Sequence, residues 1–450
     1  MNLKISNTLS KKKELFKPIN SKNITMYACG PTVYDSPHVG NARSLVVFDL
    51  LFRILKKIYG DKNVTYVRNI TDIDDKIIDI AKEKNLPINK ITEEVTKQFH
   101  DACKNLNCLE PTVEPKATGH VNEMVKMTNS LIEKGFAYEN DGHVYFSVSS
   151  FKDYGKLSNK NLDELKAGSR VEVSVHKKNP LDFVLWKPSQ EKDPGWDSPW
   201  GRGRPGWHLE CSVMSEKYLS KEFDIHGGGL DLVFPHHENE IAQSCSNNST
   251  SKMANYWIHN GFLTMSKEKM SKSLGNIVSI TDALKHYNGQ VIRLALLSSH
   301  YKQPLDWNEK LLDQQKKTLD KWYSLYEENY DQKKIPNCFE SLLDDLNTPE
   351  YISKLHELYN EAFNGDKDKK ENFNYACRLI GLFNENKKSW ENYKKKSVKI
   401  SEKIIINKIN ERLEARKKGD FKLADKIRIE LLNEGVLIED KKDETSWKYK

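Results

Sequence analysis

Four side chains carry the donor chemistry that a zinc ion takes: Cys29, Cys211, His236 and Glu240. His236 and Glu240 are four apart, so on a helix they share one face and can converge on one ion, while His237 points elsewhere. No C-x-x-C pair anchors the set and a buried cysteine often serves as a small hydrophobe, so the residues alone leave both readings open. A second chemistry lies in Tyr27 to Arg43, YACGPTVYDSPHVGNAR. Gly30 and Gly40 let backbone approach a ligand, and Asn41 lies where a helix N-terminus offers free N–H groups and positive dipole to an anion. That describes a phosphate site. His38 adds a donor for phosphate oxygens, although a lone histidine at a turn is also a common structural hydrogen-bonder. Lys269-Met270-Ser271-Lys272-Ser273, followed by Leu274-Gly275-Asn276, reads in isolation as a solvated lysine-serine loop.

These residues need a scaffold that brings distant segments together. Ile24 to Ala28 reads as a buried strand, Ser44 to Tyr59 as an apolar helix stopped by Gly60, and Val64 to Ile70 as a second strand. The unit is βαβ with a parallel sheet, and its ligand belongs at the carboxyl ends of the strands. Thr71 to Lys76 then runs from a strand end into a helix over Ile77 to Lys84, with Thr71 or Asp72 as N-cap. The proline-rich Leu109 to Lys116 closes this half. A helix over His120 to Lys134 follows, with a β-rich insertion holding Ala137 to Ser147 and a Pro-, Gly- and Trp-dense loop over Lys178 to Pro205.

From Gly206 the first pattern returns. Gly206 to Cys211 opens a helix, Phe223 to Ile225 is a short strand, Gly227 to Gly229 a flexible turn, and Phe234 to Ile241 the start of another helix. Helical spacing then dominates, over Leu311 to Glu327, Tyr351 to Asn364, Lys403 to Lys418 and Phe421 to Glu434, before a strand at Val436 to Ile438. The fold class is α/β: a Rossmann-like, nucleotide-binding parallel sheet split by an insertion, followed by a C-terminal helical region. The expected segments are 1–115 and 206–300 as the two halves of the catalytic domain, 116–205 as the insertion, 301–400 as a helical bundle and 401–450 as a terminal unit.

The 450 residues allow a large core and about two to four domains. No apolar run approaches the roughly 18 residues of a membrane span, and the first residues lack the apolar stretch of a signal peptide. Seven scattered cysteines argue against a disulfide framework and for a reducing cytoplasm. Net charge is +7, and the last 60 residues hold 17 Lys and Arg against 12 Asp and Glu, so +5 of the excess lies there. That suits a polyanionic partner, and equally suits lysine-rich solvated helix faces.

The strings YACGPTVYD, TDIDDKI, GWHLECS, FDIHGGGLDLVFPHHENEIAQ and KMSKSLGN, in that order, resemble the cysteinyl-tRNA synthetase family of class I aminoacyl-tRNA synthetases over nearly the whole chain. The resemblance implies one Zn²⁺ per chain on Cys29, Cys211, His236 and Glu240, joined by the substrate cysteine thiolate. It also implies that cysteine attacks Mg·ATP to give cysteinyl-adenylate, from which tRNA(Cys) takes the aminoacyl group. His38 and the backbone at Gly40 would meet the phosphates, and Lys269 and Lys272 the charge of the transferring phosphate, with Asn41 part of this catalytic turn. Thr71, Trp207, His226 and Asp231 become pocket candidates. The family turn commonly ends in His where this chain has Asn41, which keeps an N–H donor for ATP but no positive charge. In the tail, Arg412, Arg416, Lys417, Lys418 and Arg428 are candidates for tRNA phosphates and Trp447 for stacking on a base. The expected state is a cytoplasmic monomer with no membrane contact. Two other readings are a ligase of the same fold joining cysteine to an amine sugar, which lacks the terminal unit, and a non-catalytic RNA-binding protein with structural zinc, which has no need of KMSKS.

Overall fold

The computed structural model describes residues 1–161, 164, 175–265, 268–269, 276–330, 335–396, 398, 400–440 and 445–449. Two short strands, β1 (Lys4–Asn7) and β2 (Lys12–Leu15), form an antiparallel hairpin ahead of the central sheet. The sheet begins with β3 (Ile24–Ala28), every residue of which is buried. Helix α1 (Val39–Tyr59) follows, with 13 buried residues, and Gly60 at φ 97° ends it. Its length exceeds the expected Ser44 start because His38, in extended conformation, caps the helix. Strand β4 (Val64–Arg68) completes the unit parallel to β3.

Helix α2 (Asp75–Lys84) is capped by Asp74, whose side chain accepts from the Lys76 N–H, and not by Thr71 or Asp72. Asp72 is otherwise engaged, accepting from the backbone and hydroxyl of Thr118. Helix α3 (Ile88–Asn105), unread in the sequence, and α4 (Val121–Glu133) lead to a separate antiparallel sheet, β5 (Ala137–Asn140), β6 (His143–Phe146), β7 (Phe183–Pro188) and β8 (Gly203–Pro205). Nine of the 28 residues of the expected loop over 178–205 are therefore strand. Pro188 ends β7 and Pro205 ends the edge strand β8, where a missing donor costs little.

Helix α5 (Trp207–Tyr218), β9 (Phe223–Gly229), α6 (Glu238–Asn248) and β10 (Ala254–Asn260) supply the second half. The central order is β10-β9-β3-β4, all parallel, so the two halves meet between β3 and β9. Ligands of such sheets bind at this switch point. The glycine triplet is not a turn but the end of β9, paired with Ile258, His259 and Asn260. A Cβ on Gly227 would lie 2.4 Å from the Phe48 ring, so glycine here lets α1 press on the sheet.

One core joins α1 to the later helices at Gly289–Leu297, Glu309–Trp322, Thr348–Phe363 and Lys367–Leu379. Beneath it Arg293 is fully buried and pairs with Asp49, which also accepts from Arg53 at 2.8 Å. A smaller core holds Glu402–Lys417, Phe421–Asn433 and the hairpin Val436–Asp440 with Thr445–Tyr449 together. Arg412 belongs to that core: it is 3% exposed and holds Asp440 through two bonds of 2.8 and 2.7 Å, so it is withdrawn from phosphate contact.

Candidate active site

A cleft of ≈ 390 Å³ opens over the carboxyl ends of β3, β9 and β10, and Cys29, His38, Gly40, Asn41, Trp207 and Asp231 are among its walls. Its size falls in the range of small-ligand sites.

The donor cluster forms where β3 ends beside α5 and α6. Cys29 follows β3, Cys211 sits one turn into α5, and Glu240 lies in the first turn of α6. His236 precedes α6 in a wide turn that Phe234 enters in extended conformation, yet its Nε2 still comes 3.1 Å from Glu240 Oε1. Cys29 Sγ is 3.7 Å from Cys211 Sγ and 3.6 Å from Glu240 Oε1. A tetrahedral zinc ion with the usual bond lengths separates two sulfurs by about 3.8 Å, sulfur and oxygen by about 3.6 Å, and nitrogen and oxygen by about 3.4 Å. The four residues fit the ion. Cys211, His236 and Glu240 are buried, and only Cys29 of the four reaches the cleft.

Electrostatics point the same way. Burial drives the Cys29 thiol and the Glu240 carboxyl well up and the His226, His236 and His237 imidazoles well down, so by itself the cluster is uncharged. A divalent cation reverses that preference for thiol and carboxyl. His236 is oriented from behind by His208, Nδ1 to Nδ1 2.8 Å, and burial pulls His208 down to about 3. Trp207, 37% exposed, stacks on His236 with centroids 4.1 Å apart.

The sequence placed His237 away from this site, but its Nε2 lies 3.3 Å from Cys29 Sγ. The wide turn before α6 alters the angular spacing that a regular helix would impose. His226 is fully buried with Nε2 3.6 Å from Cys29 Sγ, behind the cleft wall. Thr71 is buried and donates to Glu210 Oε2 at 2.7 Å, so it too supports the wall from behind. Asp231 and Trp207 face the cleft directly.

The phosphate turn is built differently. His38 N–H donates to Asn41 Oδ1 at 3.0 Å, and Asn41 N–H donates to His38 Nδ1 at 3.3 Å, a reciprocal capping box. Asn41 is thus the third residue of the helix and not its cap. Its side-chain oxygen is committed to the turn. Gly40 permits this, since a Cβ there would lie 2.8 Å from His38 Nδ1. With Nδ1 accepting, the imidazole proton resides on Nε2. The turn is tied to residues 278–280 by Val39 N–H to Val278 O at 3.0 Å and Ile280 N–H to Pro37 O at 2.8 Å. The KMSKS segment lies just upstream; Lys272 is outside the described residues, and of Lys269 only the backbone is described, in a short strand with Glu268.

Arg43, which sequence reasoning passed over, is fully buried and donates to the carbonyls of Phe262 (2.7 Å), His300 (3.2 Å) and Gln303 and to Ser299 Oγ. It locks the segment after β10, part of the cleft wall, onto α1. Burial brings its guanidinium down to about 10. Its signal was an arginine beside the apolar run Leu45 to Phe48.

Residues 15–317 match the model of the tRNA synthetases class I (C) catalytic domain. The chain is 58% identical to a cysteine–tRNA ligase of Pelagibacter ubique across 99% of both chains, and 48% identical to that of Beijerinckia indica across 100% of both. Among solved structures, a Mycobacterium tuberculosis methionyl-tRNA synthetase with methionyl-adenylate superposes with TM-score 0.59 over 80% of this chain and 89% of its own, at 13% identity, a likeness of fold. Similarity that runs from end to end at this level, over a parallel sheet of that fold, means that the chain belongs to the cysteine–tRNA ligase family of class I aminoacyl-tRNA synthetases.

Proposed function

We propose that this protein attaches L-cysteine to tRNA(Cys) in two steps, with Cys29, Cys211, His236 and Glu240 holding one Zn²⁺ and with Mg²⁺ arriving on ATP. The observation that carries the reading is the four-donor cluster opening through Cys29 into the same cleft as the His38 turn. Zinc supplies affinity for a thiolate, which cysteine offers and serine does not. That distinction is needed because a pocket separates side chains differing by so little through shape by only about 10- to 200-fold.

The chain's own residues bind and orient. Trp207 and Asp231 flank the amino acid, and Thr71 and His226 hold the wall from behind. A cysteine carboxylate oxygen attacks the α-phosphorus of ATP and pyrophosphate leaves. His38, through Nε2–H, and the backbone at Gly40 donate to phosphate oxygens as charge builds, and Lys269 and Lys272 supply positive charge. A hydroxyl of the terminal tRNA adenosine then attacks the acyl carbon and AMP leaves. Residues 401–450 contact tRNA, with Arg416, Lys417, Lys418 and Arg428 as the basic candidates and Trp447 as the stacking one. Segments 1–115 and 206–300 form the catalytic domain around the insertion 116–205, and 301–400 the bundle that carries the terminal unit. The protein works as a cytoplasmic monomer. No helix among the described residues is long and apolar enough to cross a membrane.

Cysteine-dependent ATP–pyrophosphate exchange tests this, comparing cysteine with serine on the native chain and on Cys29→Ala, with zinc content measured alongside. Exchange that needs cysteine and falls with bound zinc supports the reading. Intact, cysteine-selective exchange in a zinc-free chain would show that shape alone discriminates.

A further inference from the structure

Cys29 and Glu240 belong to two donor sets at once. Apart from the set with Cys211 and His236, the ligand atoms of Cys29, His226, His237 and Glu240 all lie within 4.8 Å of one another. Cys29 Sγ is 3.3 Å from His237 Nε2 and 3.6 Å from His226 Nε2, while Glu240 turns its second oxygen, Oε2, to 3.3 Å from His226 Nε2. One sulfur, two nitrogens and one oxygen around a tetrahedral ion stand apart by about 3.6 Å for sulfur to nitrogen and about 3.4 Å for nitrogen to oxygen. All three partners of Cys29 in this set are fully buried, and Glu240 Oε2 has no hydrogen bond among the described residues. A buried carboxylate oxygen without a donor is costly unless something is bound there.

His237 carries the support that metal-binding histidines have. Its Nδ1 lies 2.7 Å from His259 Nε2, and His259 Nδ1 lies 2.8 Å from Thr8 Oγ1. When His237 Nδ1–H donates to His259 and His259 Nδ1–H donates to Thr8, the Nε2 lone pair of His237 faces Cys29. The reverse direction, with the Thr8 hydroxyl donating, puts a proton on that nitrogen. A cation at Nε2 therefore selects one direction of the chain. His226 is held by stacking on Tyr27, centroids 5.2 Å apart, and its Nδ1 has no hydrogen bond among the described residues, so it is the weaker imidazole of the two.

We propose that Cys29, His226, His237 and Glu240 form a second metal position overlapping the first, which takes a divalent borderline cation through one thiolate, two imidazoles and one carboxylate. Cys29 and Glu240 are common to both, and in this proposal one ion uses either position. The ion shifts by exchanging Cys211 and His236 for His226 and His237. Losing a sulfur moves the preference toward cations that favour imidazole. The inference rests on the metal reading above.

Co²⁺ titration tests it, because the sulfur-to-cobalt absorption scales with the number of thiolates. The native chain should bind one Co²⁺ with a two-thiolate intensity, and Cys211→Ala should still bind with roughly half of it. In the Cys211→Ala background His237→Gln should weaken binding by about 100-fold or more, whereas His236→Gln should leave it unchanged. The opposite pattern, sensitivity to His236→Gln and none to His237→Gln, overturns the second position, since three ligands of the first set would then explain the residual binding. A native chain that binds no Co²⁺ overturns the metal reading itself. Should the double variants fail to fold by circular dichroism, the unaltered chain loaded with ¹¹³Cd and ¹⁵N-histidine decides. Cadmium coupling or exchange broadening at His237 Nε2 supports the shift, and a His237 signal indifferent to cadmium overturns it.

Discussion

The donor cluster and the phosphate turn face one cleft but are made of different material. In the cluster, Cys211, His226, His236, His237 and Glu240 are side chains taken out of water, and burial holds each imidazole and acid in its neutral form. In the turn, the parts are backbone N–H groups, one imidazole and one amide in a reciprocal cap at the solvent-facing start of α1. On the proposed reading desolvation would do the selecting in the first, since a buried site built to bond one group rejects analogues that lack it. Fixed geometry would do the work in the second, where the reactant brings the charge.

Four perturbations probe that difference. Glu240 is shared by both donor sets, so Glu240→Ala should empty the site. Cysteine-over-serine preference in pyrophosphate exchange should then fall from the about 10⁴- to 10⁵-fold of a group-specific site to about 10- to 200-fold; preserved preference with no metal would remove the selective role of the cluster.

Next in size is Arg293→Met, which withdraws the main partner of buried Asp49 beneath α1 and should cost about 3–5 kcal/mol of stability in denaturant unfolding. Burial by itself would raise the Asp49 pKa, but Arg293 and Arg53 together bring it below the usual carboxylate value. A depressed carboxylate stabilises above its unfolded pKa of about 3.9 and loses that contribution as pH falls through the folded value. The native chain should lose stability below about pH 4, and Asp49→Asn should show a shallower acid slope.

His38→Ala should lower kcat for exchange by about 10²- to 10³-fold with zinc content unchanged. A parallel loss of zinc would mean that the two regions are not independent. The smallest effect is expected at Asn41→Ala, which opens the capping box and costs about 1 kcal/mol of helix stability. Asn41→Asp, which keeps an acceptor for the His38 N–H, should be nearer to native in thermal unfolding.

Much of this site was legible in the order of the residues. Donor chemistry made Cys29, Cys211, His236 and Glu240 candidates that the family resemblance then selected, and the buried strand, turn and helix at Ile24 to Tyr59 pointed to a ligand at the strand ends. Misreadings came where local pattern competes with packing. Gly227 to Gly229 look like a turn, yet they end strand β9, where the Phe48 ring of α1 lies so close to Gly227 that only glycine fits. Arg412 looks like a phosphate contact on a basic helix, and the hairpin behind it supplies Asp440 to bury it. His237 was assigned away from the metal because a regular helix was assumed where the chain makes a wide turn. Asn41 is no misreading of this kind: its oxygen closes the cap on His38, and its side-chain N–H groups take no part in that cap.

The sequence by itself determined the parallel α/β class and named four candidate donors and a candidate phosphate turn, because hydrophobic period, glycine and ligand chemistry are properties of short segments. Tertiary structure alone decided that β3 and β9 lie side by side, that Arg43 clamps the segment after β10, and that two donor sets share Cys29 and Glu240. Those are distances between residues some two hundred positions apart, and only packing of the sheet against α1, α5 and α6 sets them.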